Sequence, residues 1–521
     1  MIMPAGTLRR GSTVPLTGWI IVAVTLITVF AIWGHDAATR ALWTDDVHSL
    51  RIAELPPGEM FADLKTGAAF FFEYPPFYFV FLHQVLRLGD SPLILRVPSM
   101  LFSVAAISLW AIFARRRGVS MLLCIGAILL ASTHPMLAFQ SIGVRMYSLL
   151  LLLGSVPMIY LGGGLWREAT HPAKPIILLG LVLALACYTA YFGLVFCAAL
   201  ALVAVSWCVI PHATWRSIPR RARATGLVVL GAGMVAALLY LPWMGIAIET
   251  LRGSSSLNLP PTSREARYLA LLRELPGTYW GAGLLVVGWV ALIAWAAPTW
   301  RRALFWSLAP GALTVILLLV FSPSYRAIFT RYVLFIIPPL YLGAVSGWYA
   351  LGRRLKLKPN VAGILTLAVA GMLSAWQVHA ARQTLLASVP DWWAAAKVLE
   401  REAKPDEVIL TGGYMSGEAI LYHLRDPERF QFRHYASTYE EFSAACNDPK
   451  VTWSVNAQVY PPRFAAVHDQ VFPHRIAFRG NAGLGMIQIS CKHPFAVPEE
   501  LKAELVPRGP GNSDVQLGGG P

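Results

Sequence analysis

Charge is scarce in this chain. Of its 521 residues only 14% are Asp, Glu, Lys or Arg, while 56% are hydrophobic. A soluble globular protein carries about 25% charged residues, so the deficit excludes an ordinary water-soluble fold. Ionisable residues are nearly missing from the long apolar runs. That speaks against a transporter or lipid flippase, which places charges or broken helices near mid-membrane. The N terminus lacks the small-residue cleavage pattern of a signal peptide, so the first apolar run is expected to be retained. The glycine-rich "TGGYMSGE" (Thr411 to Glu418) lacks the lysine and the full spacing of a phosphate loop, and reads as a turn.

What is present is a series of apolar runs, each about twenty residues long, enough to cross a bilayer as a helix. Hydrocarbon cannot satisfy an open backbone, so such spans are helical. The chain reads as an α-helical polytopic membrane protein. Its net charge of +15 invites a nucleic-acid reading, but the basic residues are clustered between apolar runs: Arg9 and Arg10, Arg115 to Arg117, Arg216 to Arg223, Arg301 and Arg302, and Arg353 to Lys358. Clusters so placed are the positive-inside signal. No nucleic-acid partner is expected; membrane lipids are.

The clusters test the span count. With Arg9 and Arg10 inside, spans at 16–33, 93–114, 119–138 and 147–164 return the chain to Arg167 and Lys174. The stretch 175–210 is too long for one helix, and a split near 188–193 makes two spans of it. Further spans at 225–248, 278–297, 304–321, 332–350 and 361–377 complete about 11, with every basic cluster on one side. "PPFYFVFLHQVL" (Pro75 to Leu86) is too short to span and suits an interfacial helix, so residues 35–91 form one long outer loop.

These boundaries give a membrane domain at 1–378 and a small extracytoplasmic α/β domain at 379–504. In the latter, "DEVILTGGYMSGEAILYHL" reads as a strand, a turn and a helix from Ser416, and "RIAFRGNAGLGMIQIS" as a closing strand pair. "LVPRG" (Leu505 to Gly509) with its Gly-rich tail resembles an added protease site and linker, so 505–521 stand outside the fold. Cys124, Cys187, Cys197 and Cys208 lie in spans as packing residues. Cys446 and Cys491 share the outer domain, which leaves a disulfide there open.

The unusual charges gather at the outer ends of the spans. Asp45, Asp46 and His48 follow the first span in "ALWTDDVHSL"; Glu73 precedes the interfacial helix; Arg145 and Tyr147 open one span; Arg326, Arg331 and Tyr332 lead into another. Carboxylates at that depth can act as a general base or hold a divalent metal cation, with Asp46, His48 and Glu73 as candidate ligands. Arginines there can grip a phosphate. A lipid-linked phosphosugar presents such a target, and the reaction is glycosyl transfer: a carboxylate takes the acceptor proton while arginine or metal stabilises the departing phosphate. Each residue also has a plainer reading. Asp45 and Asp46 can be solvated loop acids, Arg145 and Arg331 snorkelling anchors, and His48 and His83 interfacial hydrogen-bonders. The long loop at 249–269 can close over a donor or serve only as a connector; Arg264, Arg267 and Tyr268 are its best contacts.

"LWTDDVHSLRIAEL" and "EYPPFYFVFLHQVLRLGDSPLILRVPSMLFSVAAISLWAIFARRRG", with "RYVLFIIPPL" later in the chain, resemble GT-C-type glycosyltransferases. The nearest in pattern are the protein O-mannosyltransferase and lipid A aminoarabinose transferase superfamily. The resemblance covers most of the first 150 residues and a patch near 325–345. It implies a GT-C-like fold and an inverting transfer from a polyprenyl-phosphate sugar to a lipid, glycan or protein acceptor. The setting it implies is the outer face of a bacterial cytoplasmic membrane. It matches Asp45 to the family's catalytic base and Glu73 to its acid before Pro-Pro, a metal ligand or donor-sugar contact. Two departures stand out. Asp46 occupies a position that is usually glutamate. Tyr74 replaces the lysine that meets the lipid phosphate in many aminoarabinose transferases; either that task shifts to Arg331, Arg145 or Arg326, or the donor differs, which argues against naming the chain an aminoarabinose transferase. A non-catalytic membrane subunit, with the outer domain as binding module, is a further reading.

Overall fold

The computed structural model describes residues 16–66, 74–163, 172–209, 221–253, 277, 279–321, 330–381, 392–411, 413–434, 439–456, 467–468, 470–478 and 487–498. They fall into two compact units. One comprises residues 1–36 and 52–381; the other comprises 37–51 and 382–521.

The first unit is helical. It takes in most of α1 (Leu16–Thr39) and the end of α2 (Thr44–Glu54), then α3 (Pro57–Thr66), α4 (Phe77–Leu86), α5 (Pro92–Arg116) and α6 (Met121–Thr133). α7 (Pro135–Ser141), α8 (Tyr147–Leu161), α9 (Ala173–Thr189), α10 (Phe192–Val209) and α11 (Arg221–Gly253) follow. α12 (Tyr279–Trp295), α13 (Pro298–Phe321), a 3-10 helix at Thr330–Ile336, α14 (Ile337–Arg354) and α15 (Pro359–Ala381) complete it. Each span expected from hydropathy overlaps a helical segment, but α8, α9 and α12 are short apolar helices. Seven helices of the described residues are long and apolar enough to cross a bilayer, or eight if the bent pair α6–α7 is one span.

These helices are apolar on both faces. Ile20, Val24 and Ile27 of α1, Met234 and Leu238 of α11, and Ile364 and Met372 of α15 are all exposed. Water would make such surface costly at about 25 cal/mol per Å²; hydrocarbon does not. With no hydrophobic drive between helices in lipid, close packing holds them together, and small residues permit it. Gly288 of α12 and Gly347 of α14 show this. A Cβ on Gly347 would run into the Gly288 carbonyl. The contact is flanked by two indole N–H donors, Trp289 to the Leu340 carbonyl at 3.0 Å and Trp348 to the Leu284 carbonyl at 2.9 Å.

The span expected at 119–138 is not straight. It breaks by 71° between α6 and α7. Pro135 opens α7 and forces the preceding His134 out of the helical region, to φ −57° and ψ 123°. The His134 imidazole then caps α7 by accepting from Leu137 N–H at 3.3 Å. The segment 35–91 also holds more structure than expected. Besides α4, where a short helix was expected, it contains α2 and α3; Pro57 starts α3, whose Met60 and Leu64 are buried. His83 of α4 bonds the Ala53 carbonyl at 2.7 Å, the hydrogen-bonding role expected of it.

The second unit gathers residues 37–51 with the C-terminal part of the chain. After α16 (Trp392–Glu402) come β1 (Val408–Thr411), α17 (Gly413–His423), β2 (Gln431–His434), α18 (Tyr439–Asn447), β3 (Val451–Asn456), β4 (His474–Phe478) and β5 (Ile487–Cys491). The sheet order is β2-β1-β3-β5-β4. β1 pairs in parallel with β2 and β3, and β5 runs antiparallel to β3 and β4. β1 and the β4–β5 pair match the sequence expectation. α17 starts three residues earlier than Ser416, at Gly413.

Alternation along the strands, with a register shift in β3 between Val451 and Trp453, gives the sheet two cores. Ile409, Trp453, Val455, Ile489 and Cys491 pack against α16 and α17, with Ala41 from the N-terminal piece. Leu410 and Val451 pack against Phe442 and Cys446 of α18 on the other side. Cys446 and Cys491 therefore sit in different cores, and both are free thiols. Burial pushes each thiol up to about 12, against the pull of Lys492 on Cys446.

Candidate active site

In the first unit the local structure concentrates positive charge around one ring. α7 ends at Ser141, and the connection to α8 carries Arg145. Serine hydroxyls fix that connection. Ser141 donates to Ser103 of α5 at 2.8 Å, Ser103 to Ser148 of α8 at 3.1 Å, and Ser148 to the Gln140 carbonyl at 2.9 Å. All three serines are buried, where a satisfied hydroxyl network specifies one arrangement. Arg145 is itself only 6% exposed. It lies over the ring of Tyr147, its guanidinium carbon 5.9 Å from the centroid.

The 3-10 helix brings the second arginine. Its distortion at Val333, φ −129° and ψ 28°, and the burial of Val333, Leu334 and Phe335 anchor the turn, and Pro338 and Pro339 start the helix after it. Arg331 projects over Tyr147 at 5.5 Å and over Tyr332 at 5.3 Å. Its guanidinium also reaches the Tyr332 hydroxyl at 3.5 Å. The Tyr147 and Tyr332 rings are 6.0 Å apart. Each cation sits within the range at which an aromatic face attracts it, about 0.5–2 kcal/mol per contact. Two guanidiniums, each with a rigid fork of donors, are thus held near each other by neutral rings. Such an arrangement suits a phosphate.

Two further residues were given no role in the sequence. Phe192, the first residue of α10, stacks on Tyr332 at 3.8 Å and 16°; an aromatic in an apolar run gives no contrast to find it by. Arg96 is 3% exposed in α5 and shares a helix face with Ser99 and Ser103. Its signal was an arginine inside the "RVPS" opening of a span.

The acidic cluster belongs to the second unit. α2 opens with Asp45 and Asp46 in its first turn, where negative charge meets the positive end of the helix dipole. Asp46 is buried and accepts the Trp43 N–H at 3.2 Å, so its carboxylate caps its own helix. Asp45 is half-buried, and its carbonyl accepts from Ser49 at 3.0 Å. Val47 and Leu50 are fully buried and seat α2. His48 is buried two positions after Asp46, and residues so spaced point to opposite sides of a helix. Asp46 and His48 therefore leave α2 on different sides. Among the described residues no three His, Cys, Asp or Glu side chains are grouped to hold a metal. Tyr74 is half-buried against Phe79, ring centroids 5.5 Å apart. Glu73, Arg264, Arg267, Tyr268 and Arg326 lie outside the described residues.

No family model matches the chain, and a search of curated proteins returns no similar sequence. Solved structures do match. ArnT from Cupriavidus metallidurans in the apo state aligns over 92% of this chain and 99% of its own, with TM-score 0.56 and 15% identity. The same protein bound to undecaprenyl phosphate aligns over 91% and 98%, with TM-score 0.51 and 16% identity. At such identities the likeness is one of architecture, and it extends over nearly the whole of both chains. The chain has the ArnT fold: a polytopic helical membrane region with a C-terminal α/β domain.

Proposed function

We propose that this protein is a membrane glycosyltransferase that moves a sugar from a polyprenyl-phosphate donor to an acceptor hydroxyl, with inversion at the anomeric carbon. The observation that carries the reading is the pair Arg145 and Arg331 over Tyr147, in a chain whose fold is that of a protein solved with undecaprenyl phosphate. The two arginines grip the donor phosphate, and Tyr332 and Tyr147 orient them. Tyr74 stands where a phosphate-binding lysine occurs in many of the resembling enzymes, so the phosphate relies on the arginines, with Arg326 as a further contact.

Asp45 is the base. It takes the proton of the acceptor hydroxyl as that oxygen forms its bond to the anomeric carbon. The bond from the anomeric carbon to the phosphate oxygen breaks, and its electron pair leaves with the polyprenyl phosphate. Guanidinium donors stabilise the charge that develops there. Glu73 contacts the donor sugar, and Asp46 and His48 shape the first turn of α2 around Asp45. Arg267 and Tyr268 contact the donor. The setting is the outer face of a bacterial cytoplasmic membrane, and the acceptor is a lipid, glycan or protein.

The test is Asp45→Asn in the purified protein, assayed with polyprenyl-phosphate sugars. Transfer should fall by at least ~10³-fold while undecaprenyl phosphate binding and melting temperature stay near wild type. Full transfer by this variant removes Asp45 from the chemistry.

A further inference from the structure

Beyond the arginines, the row of aromatic rings continues. Tyr147 neighbours Tyr332, Tyr332 stacks on Phe192, and Phe192 follows Tyr191 in the turn between α9 and α10. Thr250 of α11 donates to the Tyr191 hydroxyl at 3.3 Å. Tyr188, at the end of α9, lies 4.8 Å from Tyr240 and donates to the Leu239 carbonyl at 2.9 Å. Tyr240 and Trp243 are one turn apart on the buried stripe of α11, 1% and 5% exposed.

α11 has 33 residues, about 50 Å of helix against a hydrocarbon thickness of about 30 Å. Tyr240 to Thr250 occupy its C-terminal half, beside Met60, Leu64 and Phe79 of the interfacial helices. The Tyr240 hydroxyl and the Trp243 indole N–H are buried there with no hydrogen-bond partner. Each such group costs about 1–3 kcal/mol. Plain packing would be served as well by phenylalanine at Tyr240. Two idle polar groups on one helix face, under the half-exposed Tyr188 and Tyr191, call for a ligand that uses them.

We infer that Tyr240 and Trp243, with Tyr188, Tyr191 and Thr250 at the rim, form a subsite for the neutral sugar of the lipid-linked donor. The inference rests on the proposed function and assigns it a second binding element. The chemistry selects the ligand. Aromatic faces stack on the C–H face of a pyranose or furanose, and hydroxyl and indole N–H groups bond its hydroxyls. A phosphate belongs with the arginines at the other end of the row. A prenyl tail has no use for hydrogen-bond donors. The sugar reaches the floor of the subsite by displacing the Tyr188 ring, whose one hydrogen bond is to a single carbonyl.

The experiment measures binding to full-length protein in nanodiscs, for wild type, Tyr240→Phe, Trp243→Phe and Thr250→Val. The probes are undecaprenyl phosphate and a panel of undecaprenyl-phosphate sugars, including mannose and aminoarabinose. Each variant should bind the sugar-bearing lipid preferred by wild type roughly 3- to 10-fold more weakly, the loss of one neutral hydrogen bond. Binding of bare undecaprenyl phosphate should be unchanged, and Tyr240→Phe should melt no lower than wild type. Wild-type affinity for the sugar-bearing lipid in all folded variants overturns the subsite, as does an equal loss for both probes. Wild type that binds bare undecaprenyl phosphate but no sugar-bearing lipid overturns the proposed function itself. Thr250→Val, at the rim, keeps the test open if either floor variant fails to fold.

Discussion

Arg145 and Arg331, 186 positions apart in the chain, lie over one ring, that of Tyr147, at 5.9 and 5.5 Å. Neither needs the other's backbone to reach it. One arrives on the connection after a broken helix, the other on a distorted 3-10 turn.

If the ring holds both cations at a phosphate, its aromatic face matters and its hydroxyl does not. Tyr147→Phe should bind undecaprenyl phosphate as wild type does. Tyr147→Leu should weaken it roughly 5- to 30-fold, one to two kcal/mol for two loosened cation–π contacts. Arg331→Ala should weaken it further and flatten its salt dependence. Microscale binding titrations across a range of ionic strengths decide this.

A pH response is expected from the C-terminal unit. Burial opposes the charge on Glu407. The Lys404 N–H, His493 and the Trp453 indole donate to its carboxylate, at 2.9, 3.0 and 2.8 Å, and outweigh that cost. The carboxyl is held below its usual value. The sign follows from linkage: a lowered folded value stabilises above the unfolded value, near 4.3, and the stabilisation disappears as pH falls through the folded one. Between pH 6 and pH 3, wild type should lose more melting temperature than Glu407→Gln, which starts lower and changes less. Parallel pH profiles for the two proteins would show that Glu407 carries no linkage.

The contact between α12 and α14 gives a packing prediction. Gly347→Ala places a methyl group against the Gly288 carbonyl. A backbone atom cannot swing aside, so the variant should be destabilised by about 1–3 kcal/mol. Gly371→Ala, where a Cβ meets nothing within 4 Å, should be near neutral. Thermal unfolding in detergent compares the two.

Much of the architecture is legible because hydrocarbon is a simple solvent. Continuous apolar runs and flanking arginines place the helices, and the turn at Thr189 to Phe192 falls where excess length required one. The elbow at His134 escaped because hydropathy does not register direction; only Pro135 marked it. α3 escaped because a short amphipathic helix in a polar loop has weak periodicity. β2 and β3 are short strands in a mixed stretch, and their pairing is a tertiary fact. Within the site, Arg145 and Arg331 stood out as cations apart from the basic clusters. Phe192, Tyr240 and Trp243 did not, since aromatics among aliphatics carry no contrast. The disposition of Asp46 and His48 on opposite sides of α2 needed the helix start to be known, and the sequence had placed them in a loop.

The elbow at His134 also sets a rule for natural variation. From Pro135 to Tyr147 the polypeptide is pinned at both ends, by the imidazole cap and by the serine lattice. One inserted or deleted residue there would rotate the following helix by about 100° and swing a guanidinium off its ring. The length of this stretch is therefore fixed by the seat of Arg145 over Tyr147.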